Sequence, residues 1–266
     1  MTFPIELCIV FGVAVLFSSI GLYRTLWFTS VGYGLSVAGA GGILLLLFHA
    51  ETLPILLVCC GIMLFFGCRL AAFLLLREVT GKNWRRKMRE EMGPESTDMG
   101  VKLMFWFGCA VLYAMMASPL VYRLVSGGPI STSVTIGAAL MGLGALLEMW
   151  ADFSKSRQKK KYPGEICRRG LYHFVRCPNY LGEIIFWTGV LAAGITAFAG
   201  AGQWIIAGLG YLGILFVMFS AARRLQLQQD RIYGQDPRYQ RYAGRVPILL
   251  PFIPLRSLRN WKFLAG

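Results

Sequence analysis

Seven apolar stretches dominate the chain, near residues 3–22, 26–48, 53–76, 103–121, 133–151, 180–200 and 203–221. Each approaches or exceeds the roughly 20 residues that a helix needs to cross about 30 Å of hydrocarbon. The pattern therefore predicts an all-α polytopic membrane protein with seven transmembrane helices. The first stretch lacks a basic n-region and a small-residue cleavage site, so it reads as a helix and not as a signal peptide. No internal repeat is visible. Residues 1–126 are nearly all membrane, with one amphipathic insertion, NWRRKMREEMG, expected on the cytoplasmic surface. Residues 127–266 carry the remaining spans, a basic loop and a tail rich in Arg and Tyr.

Composition makes bilayer the solvent to reason in, because the chain is 56% hydrophobic and only 15% charged. The charge that remains is sorted by loop. Arg24 lies between the first two spans, and Arg77, Lys82, Arg85, Arg86, Lys87, Arg89 and Lys102 lie between the third and fourth. Eight cations run from Lys155 to Arg176, nine more from Arg223 onward, and the opposite loops hold only Arg123. Basic residues near span ends stay in the cytoplasm, so the N-terminus is expected outside and the C-terminus inside. The membrane is then a bacterial inner membrane or, in a eukaryote, the endoplasmic reticulum. The net charge of +14 is mostly this bias, and since no recognition motif accompanies it, nucleic acid is excluded as a partner. The only histidines, His49 and His173, are far apart, and the seven cysteines form no CxxC, so neither a metal site nor a disulfide framework is expected.

A charged side chain in hydrocarbon costs roughly 2.5–3.5 kcal/mol on insertion scales, so each needs a reason. Four stand out: Glu51, Arg69, Glu148 and Glu183. Glu51 reads either as functional or as the outer mouth of the third span, and Arg69 either as functional or as snorkelling to the surface. Glu148 and Asp152, four apart, share a helix face near the inner surface. Glu183 begins the sixth span, where Asn179, Glu183 and Trp187 form one stripe at i, i+4 and i+8. Pro178 suits a first helical turn. Arg168, Arg169 and Arg176 bring cations to the same end, as a phosphate-bearing cofactor requires. The glycines at 39, 41 and 42 lack the flanking strand of a dinucleotide fingerprint and read as helix-packing positions.

The run RRGLYHFVRCPNYLGEIIFW, residues 168–187, contains G-L-Y-x-x-x-R-x-P-N-Y-x-G-E and resembles the signature of the steroid 5α-reductase family and its bacterial relatives. The similarity continues upstream through ADFSKSRQKKKYPGEICRRG and downstream to Arg223, Arg224, Tyr233, Tyr239, Tyr242, Arg245 and LLPFIP. GCRLAAFLLLRE and NWRRKMREEMG are also similar to the bacterial branch, so the resemblance covers about residues 64–255.

What the resemblance implies is a seven-helix reductase that binds NADPH between its last three helices and the cytoplasmic loops. Helices one to four would serve mainly the substrate, a hydrophobic small molecule such as a steroid, and helices five to seven with the tail mainly the cofactor. Asp152, Arg157, Lys161, Arg168, Leu171, Tyr172, Arg176, Asn179, Tyr180 and Glu183 would hold NADPH, with Arg69 and Glu148 joining them. Arg224, Tyr233, Tyr239, Tyr242 and Arg245 would close over it. Glu51 or Glu183 would be the acid that polarises an enone carbonyl, and Glu51, Phe66 and Trp187 would contact substrate. Steroid-active members carry adjacent Gln and Glu, with a Tyr in the following stretch. Here the counterparts are Ala50 and Glu51, with Phe65 or Phe66 in place of the Tyr. An alternative is an S-adenosylmethionine-dependent methyltransferase of the isoprenylcysteine type, to which RCPNY and RYAGRVP are similar. Asn179 and Glu183 fit the reductase pattern, while Cys177 stands where histidine is usual in both.

Overall fold

The computed structural model describes residues 4–50, 53–80, 98–129 and 131–264. These form eight α-helices and no strand: α1 (Ile5–Ser18), α2 (Val31–Phe48), α3 (Pro54–Thr80), α4 (Met99–Ser126), α5 (Thr132–Lys161), α6 (Pro178–Gly194), α7 (Ala201–Tyr233) and α8 (Pro237–Arg245). The first seven, some extended by 3-10 turns, are each long and apolar enough to cross a membrane. The chain is a polytopic helical membrane protein, as its hydropathy predicts. Two helices outrun their apolar stretches: α5 continues ten residues past the expected end at 151, and α7 twelve past 221. Lys, Arg and Gln are good helix formers, so the chain leaves hydrocarbon without leaving the helix. Lys155, Arg157, Lys159, Lys160 and Lys161 thus belong to α5 and not to a loop, and the helix stops just before Pro163. The amphipathic insertion at 83–93 lies outside the described residues.

The fold divides into two compact units, residues 1–138 with 189–211, and residues 139–188 with 212–266. In the first, α2 and α3 pack antiparallel with almost touching backbones. A Cβ on Gly34 would lie 2.7 Å from the Ala71 nitrogen, and one on Gly41 2.5 Å from that of Leu64. Gly41 is therefore a packing position, as read from sequence; Gly39 instead makes room for Phe17 and Val13 of α1, and Gly42 meets only Leu64 at ordinary distance. Further along, Pro119 interrupts the bonding of α4, and Ser118 Oγ donates to the Met115 carbonyl at 2.8 Å.

Two charges in this unit are explained by local partners. Arg123 is buried and its Nη2 donates to the carbonyls of Gly128 and Pro129, capping the C-terminal end of α4. Glu78 is buried near the end of α3, where the Trp27 indole N–H donates to its Oε2 and Arg24 lies 3.7 Å away. Sequence reading passed over Glu78, because nothing local distinguishes it from a residue of the following polar segment.

In the second unit, α5 and α6 cross just as closely. A Cβ on Gly182 would lie 2.7 Å from the Glu148 nitrogen, and one on Gly144 2.5 Å from the Gly182 carbonyl oxygen. The glycine of the N-Y-x-G-E run is therefore required by helix contact, and that contact buries the carboxylates beside it.

Candidate functional site

The second unit gathers most of the residues singled out from sequence. Glu148 and Asp152 face inward from α5, and Glu183 and Trp187 do so from α6; all four are buried. Asn179, Glu183 and Trp187 fall on successive turns of α6, whose first residue is Pro178. Between α5 and α6 the chain makes a short 3-10 turn, Gly170–His173, entered through Gly170 at φ +64°, a left-handed conformation that favours glycine. This turn seats Tyr172, whose hydroxyl donates to the Ala151 carbonyl at 3.3 Å and whose ring packs with Ala151, Cys167 and Leu171.

Arg176 is the most enclosed cation of the unit, only 2% exposed. Its backbone N–H donates to the Pro247 carbonyl at 2.9 Å, that of Cys177 donates to Ile248 at 3.0 Å, and Arg176 Nη2 donates to the Arg256 carbonyl. Among the described residues its buried Nε and Nη1 have no hydrogen-bond partner, and neither has the buried Oδ1 of Asn179 three residues on. Buried polar atoms are normally satisfied, so two donors and an acceptor open in one short segment make it a candidate ligand site. A guanidinium offers phosphate or carboxylate a two-pronged match.

The tail packs over this segment with its hydroxyls engaged inside the chain. Tyr242 donates to the Tyr172 carbonyl at 2.6 Å, and Tyr239 to Asp230. Lys159 Nζ donates to the Tyr233 hydroxyl at 2.9 Å and to the Glu165 carbonyl at 2.6 Å. Arg259 grips Asp230 with both Nε and Nη2, at 2.7 and 2.8 Å. Burial pushes the Tyr239 and Tyr242 phenols well above their ordinary range, with Asp230 adding to the effect on Tyr239 and Arg176 opposing it on both. The Cys167 and Cys177 thiols are also pushed up by burial, to about 11 each, against the pull of Lys155 on both. Both therefore favour the thiol form at neutral pH.

Arg157, Lys161, Arg224 and Arg245 are exposed, and Arg168, Leu171 and Tyr180 half-buried. Arg69 and Phe66 belong to the first unit, where the Arg69 guanidinium lies over the Phe66 ring at 5.8 Å. Glu51 lies outside the described residues. Sequence reading missed Asp230, Arg259 and Gln226, which organise the tail. Their pairings span about thirty residues within polar sequence and carry no local pattern. Among the described residues no group of three or more His, Cys, Asp or Glu could hold a metal ion.

Together these features define a polytopic helical membrane protein with a buried cation, a half-buried asparagine whose amide oxygen is enclosed, and a tyrosine-rich tail in one unit. The chain belongs to the family described as Protein of unknown function (DUF1295), whose model matches residues 15–246. It is also similar to two curated proteins. Against "Steroid 5-alpha-reductase DET2" of Solanum lycopersicum it is 33% identical over 88 residues, covering 33% of this chain and 29% of that one. Against "3-oxo-5-alpha-steroid 4-dehydrogenase 1" of Rattus norvegicus it is 26% identical over 121 residues, covering 44% and 40%. The chain thus spans less than half the length of the curated relatives it matches. No solved structure matches significantly.

Proposed function

We propose that the protein is a membrane-embedded, NADPH-dependent reductase acting on the C=C bond of a lipid-soluble enone, a steroid or related isoprenoid lipid. The observation that carries this reading is the open set of buried polar atoms, Nε and Nη1 of Arg176 and Oδ1 of Asn179. The set fits the cofactor: the guanidinium can take phosphate oxygens, and the amide oxygen can accept from a ribose hydroxyl or a carboxamide N–H. The names of the two curated relatives support the same class of chemistry.

In this reading Arg176, with Arg168, Arg157 and Lys161 nearer the surface, binds the phosphates, while Asn179 orients the bound molecule. Tyr172 and Tyr180 help to hold it, and Tyr233, Tyr239 and Tyr242, with Arg224 and Arg245, form the cover that excludes water. When bound, NADPH supplies the hydride that the double bond accepts. Glu51 or Glu183, kept protonated, would donate a hydrogen bond to the substrate carbonyl and stabilise the enolate that forms as hydride arrives, and a proton from water would then reach the neighbouring carbon. The cation-rich segments are cytoplasmic and the N-terminus lies outside.

The alternative, an S-adenosylmethionine-dependent methyltransferase, would also give Arg176 a carboxylate. It would, however, bring a sulfonium cation to segment 152–176, which carries Lys155, Arg157, Lys159, Lys160, Lys161, Arg168, Arg169 and Arg176 against the acids Asp152 and Glu165. Such a surface favours a polyanion, and charges within about 8 Å of the ligand escape most screening at physiological salt. Calorimetric titration of detergent-purified protein with NADPH, NADH and S-adenosylmethionine is expected to rank NADPH first. Preference for S-adenosylmethionine would remove the reductase reading. Asn179→Ala is expected to weaken NADPH binding while sparing the melting temperature of the unliganded protein, since the amide oxygen has no partner to lose. A lost buried hydrogen bond costs about 1–3 kcal/mol, or roughly five- to a hundredfold in affinity. Unchanged affinity would exclude Asn179 from the site.

A further inference from the structure

We infer that residues 250–264 form an interfacial anchor that seats in the anionic lipid leaflet at the C-terminal end of α7. The argument starts from where that helix leaves hydrocarbon. Its apolar run ends at Ala222, and Arg223 and Arg224 begin the polar part, which continues for about 16 Å. After α8 the chain turns back along this helix. Leu258 N donates to Gln226 Oε1 at 2.9 Å, and Gln226 Nε2 to Ser257 Oγ at 3.0 Å. Trp261 stacks on Phe219, centroids 6.3 Å apart and planes within 4°, and Arg223 Nη1 reaches the Leu264 carbonyl at 3.3 Å. Phe219 belongs to the apolar run itself, so the returning segment lies at the membrane boundary. A second fix agrees: Pro247 and Ile248 accept from Arg176 and Cys177, immediately before α6 enters its own span.

At that level the segment turns its large apolar side chains outward. Phe252 is 96% exposed, Phe263 71%, Ile253 51% and Trp261 38%. Arg256 and Lys262 are exposed among them, Arg259 is paired with Asp230, and no Asp or Glu follows Asp236. The turn that lifts Phe252 is held from below, with Ile253 N donating to Leu250 O and Ile248 N to Leu255 O. Aromatic rings with interleaved cations suit the headgroup layer, where the rings enter the acyl boundary and each cation gains from anionic lipid. A soluble protein partner would meet the same cations but would not require the rings to lie level with Phe219. The inference is independent of the reductase reading.

Phe252→Trp and, separately, Phe263→Trp test it in proteoliposomes whose lipids are brominated near the headgroup end of the acyl chains. Substitution at such exposed positions leaves the fold undisturbed. The emission added relative to the parent protein is expected to be mostly quenched in vesicles containing phosphatidylglycerol. Combined Arg256→Glu and Lys262→Glu are expected to restore much of it, and pure phosphatidylcholine vesicles to quench less. Added emission that escapes bromolipid in both vesicle types overturns the anchor. Equal quenching in both, unaffected by the charge reversal, overturns its selectivity for anionic lipid.

Discussion

Arg176→Ala is expected to weaken NADPH binding by roughly a hundredfold, corresponding to about 3 kcal/mol for two charge-assisted hydrogen bonds lost together. The magnitude follows from burial. At 2% exposure the guanidinium is already removed from water, and its Nε and Nη1 have no partner among the described residues, so a ligand that bonds them would repay that desolvation. The third nitrogen is engaged by the Arg256 carbonyl, which fixes the orientation of the fork before any ligand arrives. Arg176→Lys is expected to recover only part of the affinity, because an ammonium keeps the charge but loses the planar pair of donors. Titration calorimetry beside thermal unfolding of the unliganded variants separates binding from folding. A variant that melts like the parent and binds nucleotide equally well would end the role assigned to Arg176.

The second large effect is structural. Gly144→Val is expected to prevent α5 and α6 from docking, because the new side chain would enter the backbone of α6 at Phe186 and the Gly182 carbonyl. Overpacking a core commonly costs about 1–3 kcal/mol, and here neither backbone has a side chain that can swing aside, so the cost lies at or beyond the upper end. Glu148, Asp152 and Glu183 would lose the contact that buries them together. Retention of a monodisperse elution profile with an undiminished melting temperature would refute the close crossing. Gly142→Ala, with open space at its Cβ, is the matched control and should be silent.

The spans were legible because hydropathy reports the solvent directly. Seven stretches long enough to cross were visible, and seven helices have the required length and composition. The ends of α5 and α7 were not, since a hydropathy window measures where the bilayer stops, and Gln-, Lys- and Arg-rich sequence carries a helix onward without an apolar signal. The 168–187 run was informative for a different reason. Its Gly170, Pro178 and Gly182 each meet a local backbone demand that a short motif can display: a left-handed turn, a first helical turn and a close helix crossing. The partners of that run were invisible. Tyr242 reaches Tyr172 across 70 residues and Arg256 reaches Arg176 across 80, and no period or spacing encodes such meetings. Asp230 illustrates the limit, because as a sequence letter it is one acid in a polar helix, and as a structure it ties Tyr239 to Arg259.

Those long sequence separations also set a timetable. A ribosome adding about 5–20 residues per second needs roughly 4–16 s to travel from Arg176 to the residue whose carbonyl receives its guanidinium, 80 positions later. Once residue 194 is added α6 is complete, while Tyr172, Arg176 and Cys177 still lack their partners at 242, 256 and 248. The nascent chain therefore carries a solvated arginine at the mouth of a finished span. Assembly of this half must come late in biosynthesis, after the membrane-crossing steps are over. A message truncated between codons 195 and 255 would yield a chain that holds α6 but leaves Arg176 without its carbonyl partner.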